Sequence, residues 1–359
     1  MKKYNVIVCG TTFGQFYIEA IKTSDNLNLV GILAGGSNRS IKCAQFNNVP
    51  LFKDIDEIPD DVDIACVVIR SGAIGGIGTD LAIKLMNKGI HVIQEQPMHP
   101  KDLQSCYKIS LKNKVNYVVG NLYPNMIEIK KFIECAKFLN KNDKLLYARA
   151  SFAPQVSYPA MKMLLEAMPS IRNINLENVS KSKEAPFDLF TGYIGDIPTT
   201  VEYQNYINPS DPDNHMHLLH SITFVYESGR LVLSDTFGPT IWHPKMHVEN
   251  SLYDRANLKD NYPKHLKDNT VNFLDLFEEK TYENIISKDW PKAIYKDLMS
   301  LVSLIEKKTN YMKLSQKELL CSTNWSNLTK HFGFANLVDK GQVDNIKLEY
   351  LKDILNNVI

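Results

Sequence analysis

The sequence contains no stretch near the roughly 18 continuous apolar residues that a membrane-spanning helix requires. It also has no excess of charge of one sign, because 41 Lys and Arg residues stand against 40 Asp and Glu residues. This balance argues against nucleic-acid binding through bulk positive charge. The apolar run after the first two lysines is too short for a signal peptide. We therefore expect a cytoplasmic protein that binds neither nucleic acid nor a membrane.

No two of the six cysteines have the C-x-x-C spacing of redox and metal motifs. Disulfide frameworks belong mainly to small secreted domains, so free thiols are expected here. Internal repeats and low-complexity segments are also missing. A chain of 359 residues with 44% apolar and 23% charged residues is long for one core, and it predicts two globular domains.

Short apolar segments alternate with helical patterns in the first third of the chain. The predicted strands cover residues 4–9, 29–33, 63–69, 91–94 and 116–120, and the helices between them cover 16–24, 40–47, 79–88 and 101–112. This alternation is typical of βαβ crossovers and a parallel sheet. We predict an α/β fold that begins with a Rossmann dinucleotide-binding domain over residues 1–122.

The pattern changes after Tyr123-Pro124 to longer strands rich in aromatic and β-branched residues. The predicted strands are 145–152, 187–194, 200–207, 219–227 and 230–235, and the predicted helices are 126–139, 289–307, 315–329 and 345–357. Tyr226-Glu-Ser-Gly229 is a hairpin signal. Residues 123–359 are predicted to form an α+β domain on an antiparallel sheet. The polar segment Trp242–Asp268 is predicted to be a long loop that covers the substrate.

The first predicted strand runs directly into Gly10-Thr11-Thr12-Phe13-Gly14 and then into a helix. A glycine turn of this kind exposes N–H groups at a helix N-terminus, which suits a pyrophosphate. Compared with the dinucleotide fingerprint G-x-G-x-x-G, threonine holds the middle place and the last glycine comes one residue early. The alternative is a tight turn that binds no ligand.

The residues after the second predicted strand indicate which nucleotide is bound. NAD enzymes place an acid there for the ribose 2′-hydroxyl, but this chain has none before Asp54. Ser37, Arg39 and Ser40 are instead able to hold a 2′-phosphate, which favours NADPH. The alternative is that Arg39 is solvated and Ser37 only caps the helix.

Two further strand ends are predicted to border the nicotinamide half of the cofactor. Arg70 and Ser71 follow the third strand, although the glycines beyond them are equally typical of a flexible crossover. Glu95-Gln96-Pro97 follows the fourth strand, where the glucose–fructose oxidoreductase and inositol dehydrogenase family has Glu-Lys-Pro. The chain resembles that family along nearly its whole length. The lysine of its sugar enzymes is Gln96 here, and glutamine has no titratable proton to give.

Several motifs resemble more narrowly the thiazolinyl imine reductases of siderophore assembly. They are the Gly-x-x-Phe-Gly turn, Gln94-Glu-Gln-Pro-Met-His-Pro100, Tyr123-Pro124, Asn208-Pro-Ser-Asp-Pro-Asp-Asn-His215 and Asp235-Thr-Phe-Gly-Pro-Thr-Ile-Trp242. The resemblance implies NADPH-dependent reduction of a thiazoline C=N bond to a thiazolidine. It implies a substrate tethered to a carrier domain of a nonribosomal peptide synthetase. It also implies that residues 123–359 bind the substrate and form a homodimer through an open antiparallel sheet. The cofactor is then bordered by Glu95, Gln96 and Pro97.

Reduction of an imine requires a proton donor for the nitrogen. His99 lies near the predicted switch point, and histidine titrates near neutral pH. Tyr123 follows the fifth strand, and the resemblance implicates both residues as catalytic. Either residue is able to donate the proton, directly or through water. The alternatives are a loop histidine beside two prolines and a half-buried tyrosine at a domain junction.

A metal site is not expected, although His215, His217 and His220 stand close together in the sequence. Zinc needs three or four ligands that converge, whereas a strand would turn His220 away from the other two. We predict that these histidines enter a strand and that one or two line the substrate cleft. Two other functions fit the same fold, namely a sugar or polyol dehydrogenase and a non-catalytic NAD(P)-sensing regulator. Gln96 argues against the first of them.

Overall fold

A computed structural model describes residues 2–69, 76–181, 185–212, 216–248, 264–274, 280–307, 311–338, 346–356 and 358. Within these ranges the first third of the chain forms a parallel sheet of six strands in the order β3-β2-β1-β4-β5-β6. Its strands are β1 (Tyr4–Cys9), β2 (Leu27–Leu33), β3 (Leu51–Phe52), β4 (Ile64–Val67), β5 (His91–Gln94) and β6 (Tyr117–Val119). Its helices are α1 (Gly14–Lys22), α2 (Asn38–Asn47), α3 (Ile77–Asn87) and α4 (Pro100–Asn113).

The central strands of this sheet are mostly apolar, as expected for strands that helices cover on both faces. Every residue of β4 is buried, and so are Val6, Ile7, Val8 and Cys9 of β1. The five predicted strands and four predicted helices are confirmed to within a few residues. The strand β3 was not predicted, because its two residues are too few to show a periodic pattern. It pairs with Ile32 and Leu33 of β2 at the edge of the sheet.

The rest of the chain is built on a second sheet with the order β15-β14-β13-β12-β7-β10-β9-β8. Only β10 and β7 pair in parallel within it, so it is mostly antiparallel, as predicted. Its strands are β7 (Leu145–Phe152), β8 (Ile174–Ser180), β9 (Phe187–Ile194), β10 (Ile197–Gln204), β12 (His220–Tyr226), β13 (Gly229–Leu233), β14 (Thr240–Pro244) and β15 (Asn272–Phe273), while β11 (Tyr206–Ile207) pairs with β16 (Asn336–Leu337) elsewhere. The helices are α5 (Leu122–Asn125), α6 (Ile127–Asn142), α7 (Ser157–Ala167), α8 (Tyr282–Asn284), α9 (Trp290–Ile305), α10 (Tyr311–Phe332) and α11 (Leu348–Asn356).

Several elements of the second part differ from the predictions. The helices α5, α7 and α8 and the strands β8, β15 and β16 were not predicted. The helix α7 is buried on most sides, so it lacks an exposed polar face. The loop predicted for Trp242–Asp268 is wrong at its start, because Trp242 and His243 lie in β14 and pair with Leu231 and Arg230. The cross-strand partners hold this polar segment in the sheet. Residues 249–263 of that segment lie outside the described ranges.

Helices of the second part pack against the first. The helix α9 lies on α1 and α5, and α10 lies on α4 and α7. Ser322 in α10 donates a hydrogen bond to the Met98 carbonyl at 2.6 Å, directly beyond β5. All six cysteines are described and are free thiols, as predicted. No helix within the described ranges is both long enough and apolar enough to cross a membrane.

Candidate functional site

The first sheet reverses its strand order between β1 and β4, and ligands of doubly wound sheets bind beyond the carboxyl ends of the strands at such a point. Gly10 follows β1 and Val68 follows β4, so the predicted glycine turn lies at this position. Gly10 N donates to Leu33 O at 3.0 Å, which ties the turn to β2. Arg70 and Ser71, predicted to border the nicotinamide, lie outside the described residues.

The two glycines of the turn are required by close approaches. Gly10 has a φ of +97°, and a Cβ there would lie 2.6 Å from the Val68 carbonyl oxygen. A Cβ on Gly14 would lie 3.0 Å from Val8 Cγ1. The N-cap residue Phe13 makes no side-chain hydrogen bond to α1, so the first N–H groups of this helix have no side-chain cap. Uncapped N–H groups at a helix N-terminus bind phosphate, and the turn therefore fits a pyrophosphate.

The three residues between the glycines have different environments. Thr11 is buried, and its carbonyl accepts from Gln15 Nε2 at 3.0 Å. Thr12 is exposed, so there is room in the solvent for a side chain at the position of the fingerprint's middle glycine. The Phe13 ring lies 5.8 Å from the Trp290 ring, between centroids, and so connects the turn with α9.

The residues at the end of β2 form the start of α2. The Ser37 side chain accepts from Ser40 N at 3.3 Å, and Ser40 is buried with its hydroxyl donating to Ser37 O at 2.8 Å. Arg39 is exposed in the first turn of the helix. A Cβ on Gly36 would lie 3.2 Å from Lys53 Cε, so the structure adds a second cation that the sequence analysis missed. Lys53 follows β3, and only the pairing of β3 with β2 brings it here.

Glu95, directly beyond β5, lies in a polar pocket between strand ends. Its Oε2 accepts from Tyr17 Oη at 2.5 Å, and its Oε1 accepts from Gln96 N at 3.2 Å. Glycine at position 120 leaves room for the Tyr17–Glu95 pair, because a Cβ there would lie only 2.7 Å from Tyr17 Oη. Burial, and then the like charge of Asp297, raise the pKa of Glu95 to about 7. The carboxyl therefore exchanges between its protonated and ionised forms near neutral pH.

The next residues set the entry to α4. The Gln96–Pro97 peptide bond is cis. Gln96 Oε1 is buried and has no hydrogen-bond partner among the described residues, so it can accept from an N–H of a bound ligand. His99 is half-buried and caps α4, with Nδ1 accepting from Lys101 N at 3.3 Å. A neutral His99 ring then carries its proton on Nε2.

Tyr123 lies in the short helix α5 and is half-buried. Its ring contacts the rings of His220 and Trp290 edge-on, with centroid distances of 5.3 Å and 6.5 Å. Trp290 also contacts Phe13, so the structure connects the glycine turn to Tyr123 through α9. The indole Nε1 of Trp290 is buried without a hydrogen-bond partner among the described residues.

His220 is the first residue of β12 and is 1% exposed. Its Nε2 donates to the Val156 carbonyl at 3.0 Å, and its Nδ1 lies 3.0 Å from Thr236 Oγ1. Burial lowers the pKa of His220 to about 4, so the ring is neutral at physiological pH. His220 thus supports Tyr123 from a fixed position.

The other two histidines of this segment lie apart from that contact. The His217 backbone N donates to Gln204 Oε1 at 2.7 Å, and its ring packs against Phe187. His215 lies outside the described residues. Over the part of the chain that is described, no three metal-ligating side chains gather at one point.

Asp297 in α9 is a buried carboxylate that sequence analysis did not identify. Its Oδ2 accepts from Asn121 N at 2.6 Å and its Oδ1 from Asn125 Nδ2 at 2.7 Å. Burial raises the pKa of Asp297 to about 6. The available signal was an acid on the apolar face of the helix, beside Ile294 and Leu298.

Residues 4–121 match the oxidoreductase family with an NAD-binding Rossmann fold. Residues 144–243 match the C-terminal domain described as thiazolinyl imine reductase Irp3-like. No curated protein matches the chain at a significant level.

Solved structures share the architecture of this chain at low identity. GenD2 from gentamicin A biosynthesis, in complex with NAD, is 10% identical with a TM-score of 0.64 over 90% of this chain and 93% of that one. UDP-N-acetylglucosamine 3-dehydrogenase GnnA from Acidithiobacillus ferrooxidans is 10% identical with a TM-score of 0.64, covering 92% and 98%. A Gfo/Idh/MocA family oxidoreductase from Vibrio cholerae is 10% identical with a TM-score of 0.63, covering 92% and 98%. These likenesses show the fold.

Proposed function

We propose that this oxidoreductase reduces the C=N bond of a thiazoline to a thiazolidine, with NADPH as the hydride donor. The observation that carries the proposal is the match of residues 144–243 to the C-terminal domain of thiazolinyl imine reductases. We propose further that the substrate is a thioester on a carrier domain of a nonribosomal peptide synthetase, and that the product enters siderophore assembly.

Gln96 supports this choice over a sugar or polyol dehydrogenase. It stands where the sugar enzymes of the family have a lysine, and an amide does not act as a general acid or base at neutral pH. Its buried Oε1, which has no partner among the described residues, fits an N–H donor such as the carboxamide of a nicotinamide. The cofactor supplies the hydride when it is bound, and the chain's own residues bind and orient the reactants and provide a proton.

The nitrogen gains a proton when the hydride adds to the imine carbon. Tyr123 and His99 are the proposed donors; Tyr123 is held by the neutral His220 ring, and His99 presents Nε2–H because Nδ1 caps α4. A phenol or imidazole N–H placed at the nitrogen lowers the barrier for hydride addition.

The function is tested with the full chain, NADPH and a soluble thiazoline thioester, by following the absorbance of the reduced nicotinamide. We expect oxidation of NADPH only when the thiazoline is present, with a thiazolidine as product. NAD⁺ reduction driven by a polyol or a nucleotide sugar would overturn the proposal in favour of a dehydrogenase. Tight NADPH binding without turnover of either substrate class would favour a regulator.

Two variants test the donors in the same assay. Tyr123→Phe removes only the phenolic hydroxyl. His99→Asn removes the imidazole but keeps a side-chain acceptor for the N-cap of α4. A direct donor contributes about 100-fold or more to the rate, so the corresponding kcat should fall by that factor with NADPH affinity unchanged. Loss of NADPH binding in either variant would contradict the assigned role.

Arg39→Ala is expected to weaken NADPH binding about tenfold or more, with little change for NADH. A charge-assisted contact to phosphate contributes about 1.5–3 kcal/mol, and Arg39 and Lys53 are the cations near the end of β2. Titration of nicotinamide fluorescence measures both affinities. Lys22→Ala in α1, where Lys22 pairs with Glu19 at the surface, serves as the control. Equal losses for NADPH and NADH would show that Arg39 does not contact the 2′-phosphate.

The second sheet supports a homodimer, which we propose as the working state. Burial alternates along β12, with His220, Ile222, Phe224 and Tyr226 buried and the residues between them half-exposed. Among the described residues, the face of β12 that carries Ser221, Thr223 and Val225 is therefore only partly covered, and we propose that a second chain packs on it. Sedimentation at micromolar concentration should show a mass of two chains, and a mass of one chain would contradict this proposal.

A further inference from the structure

The Glu95 carboxyl has unusual neighbours for a partly buried acid. Its contacts are the Tyr17 phenol at 2.5 Å, the Gln96 N–H at 3.2 Å and the like charge of Asp297. Tyr17 is 1% exposed and belongs to α1, the helix that begins at the glycine turn. The carboxyl thus lies at the strand ends where the nicotinamide cofactor is proposed to bind.

Asp297 approaches from the other half of the chain. It is 5% exposed, and its two oxygens accept from Asn121 N and Asn125 Nδ2 on either side of Tyr123. Because α9 packs on both α1 and α5, the position of Asp297 depends on the contact between the two halves. The acid that acts on Glu95 is therefore in place only when the two halves are assembled.

The groups that act on this cluster come from several elements. Tyr17 lies in α1, Cys66 in β4, Gln96 N after β5 and Asp297 in α9, while Asn121, Asn125 and Lys162 act on Asp297 from the start of α5, from α5 and from α7. The two hydrogen bonds favour the ionised form of Glu95, whereas burial and Asp297 favour the protonated form. These opposing effects leave the protonated and ionised forms of Glu95 close in free energy, so small changes around the carboxyl alter its protonation.

We propose that Tyr17, Glu95 and Asp297 form a proton-holding cluster, and that Glu95 is a positioning residue that supplies the proton consumed in the reaction. The inference rests on the proposed function and adds a residue to it. As hydride adds to the imine carbon, the C=N π bond breaks and its electron pair moves to nitrogen. A new N–H bond forms there as the donor's proton leaves. The Glu95 O–H bond then breaks, its proton passes through water to the deprotonated donor, and the Glu95 carboxylate takes a proton from solvent.

The cluster is tested without cofactor or substrate, by pH-difference infrared spectroscopy of the full chain. Carboxylic acid signals should be lost between about pH 5 and pH 8, near the pKa values of about 6 and about 7 for Asp297 and Glu95. Glu95→Gln should remove the later loss. Tyr17→Phe should move the Glu95 midpoint to higher pH, because it deletes a hydrogen bond to the carboxylate, and Asp297→Asn should move it to lower pH. Glu19→Gln, exposed on α1, should change nothing.

The shifts in opposite directions separate a proton-holding role from a structural one. A wild-type chain with no acid signal lost in this range, or a Tyr17→Phe midpoint equal to that of wild type, would overturn the inference. The thiazoline assay gives a second measurement: wild-type kcat should fall above about pH 7, and Glu95→Gln should be slower with a flat profile over that range. If the chain reduces the thiazoline but shows no infrared titration of an acid in this range, this inference is wrong and the proposed function stands. If the titration is seen but the thiazoline is not reduced, the proposed function is wrong.

Discussion

Replacing Lys162 with methionine is expected to lower the free energy of unfolding by about 3–5 kcal/mol. Lys162 in α7 and Glu318 in α10 form a salt bridge in which the two residues are only 9% and 7% exposed. Burial lowers the pKa of Lys162, but attraction to Glu318 outweighs it and the pKa lies above its usual value. Removing the cation leaves a buried carboxylate whose only remaining hydrogen-bond donor in the described structure is Tyr158 Oη, at 2.7 Å.

Urea unfolding of Lys162→Met and of the double variant Lys162→Met/Glu318→Gln measures this effect. The double variant should recover most of the loss, because the uncompensated charge is gone and an amide oxygen still accepts from Tyr158. Lys317→Met is the matched control, since Lys317 is an exposed neighbour of Glu318 whose ion pair with Glu166 contributes about 1 kcal/mol at most. A loss below about 1 kcal/mol for Lys162→Met would show that water or a rearrangement compensates the charge.

Gly10→Ala is expected to weaken cofactor binding strongly and to destabilise the N-terminal domain. The positive φ of +97° disfavours any L residue, and such strain costs about 1–3 kcal/mol. The added methyl group would also lie 2.6 Å from the Val68 carbonyl oxygen, so β1 and β4 must separate just where the pyrophosphate is expected. NADPH affinity should fall at least tenfold, as measured by fluorescence titration, together with the thermal midpoint of unfolding.

Gly35→Ala provides the comparison for this variant. Gly35 follows β2 in the same domain, and a Cβ there would meet nothing within 4 Å. It should keep wild-type stability, so a general intolerance of the domain to new methyl groups would be recognised. NADPH affinity is not compared for this variant, because Gly35 adjoins the proposed 2′-phosphate site. Wild-type NADPH binding by Gly10→Ala would place the pyrophosphate away from the glycine turn.

The local pattern was enough to predict the first sheet and the turn beyond β1. The strands of a parallel sheet are apolar along their whole length, and each is followed by a helix of ordinary length, so the period is visible in the sequence. The pattern failed at β3, which is too short, and at α7, which is buried on most sides. It failed again at β14, where Trp242 and His243 are held by cross-strand partners rather than by a period of their own.

In the candidate site, too, the sequence pattern identified some residues and missed others. His99, Glu95 and Tyr123 were identified because each follows a strand of the parallel sheet, at the edge where the carboxyl ends of the strands meet. Tyr17 and Asp297 were not, because nothing in their own segments indicates that they lie beside Glu95.

The sequence by itself therefore determined the parallel sheet, the glycine turn, the absence of an acid beyond β2 and the substitution of lysine by Gln96. These are properties of adjacent residues, and the backbone geometry of a strand, a turn or a helix start is set by adjacent residues. Only the tertiary structure decided that Lys53 lies beside Gly36, that a neutral His220 packs against Tyr123, and that Asp297 acts on Glu95. Burial and proximity shift a pKa, and both depend on residues far apart in the chain that meet only when the two halves pack together.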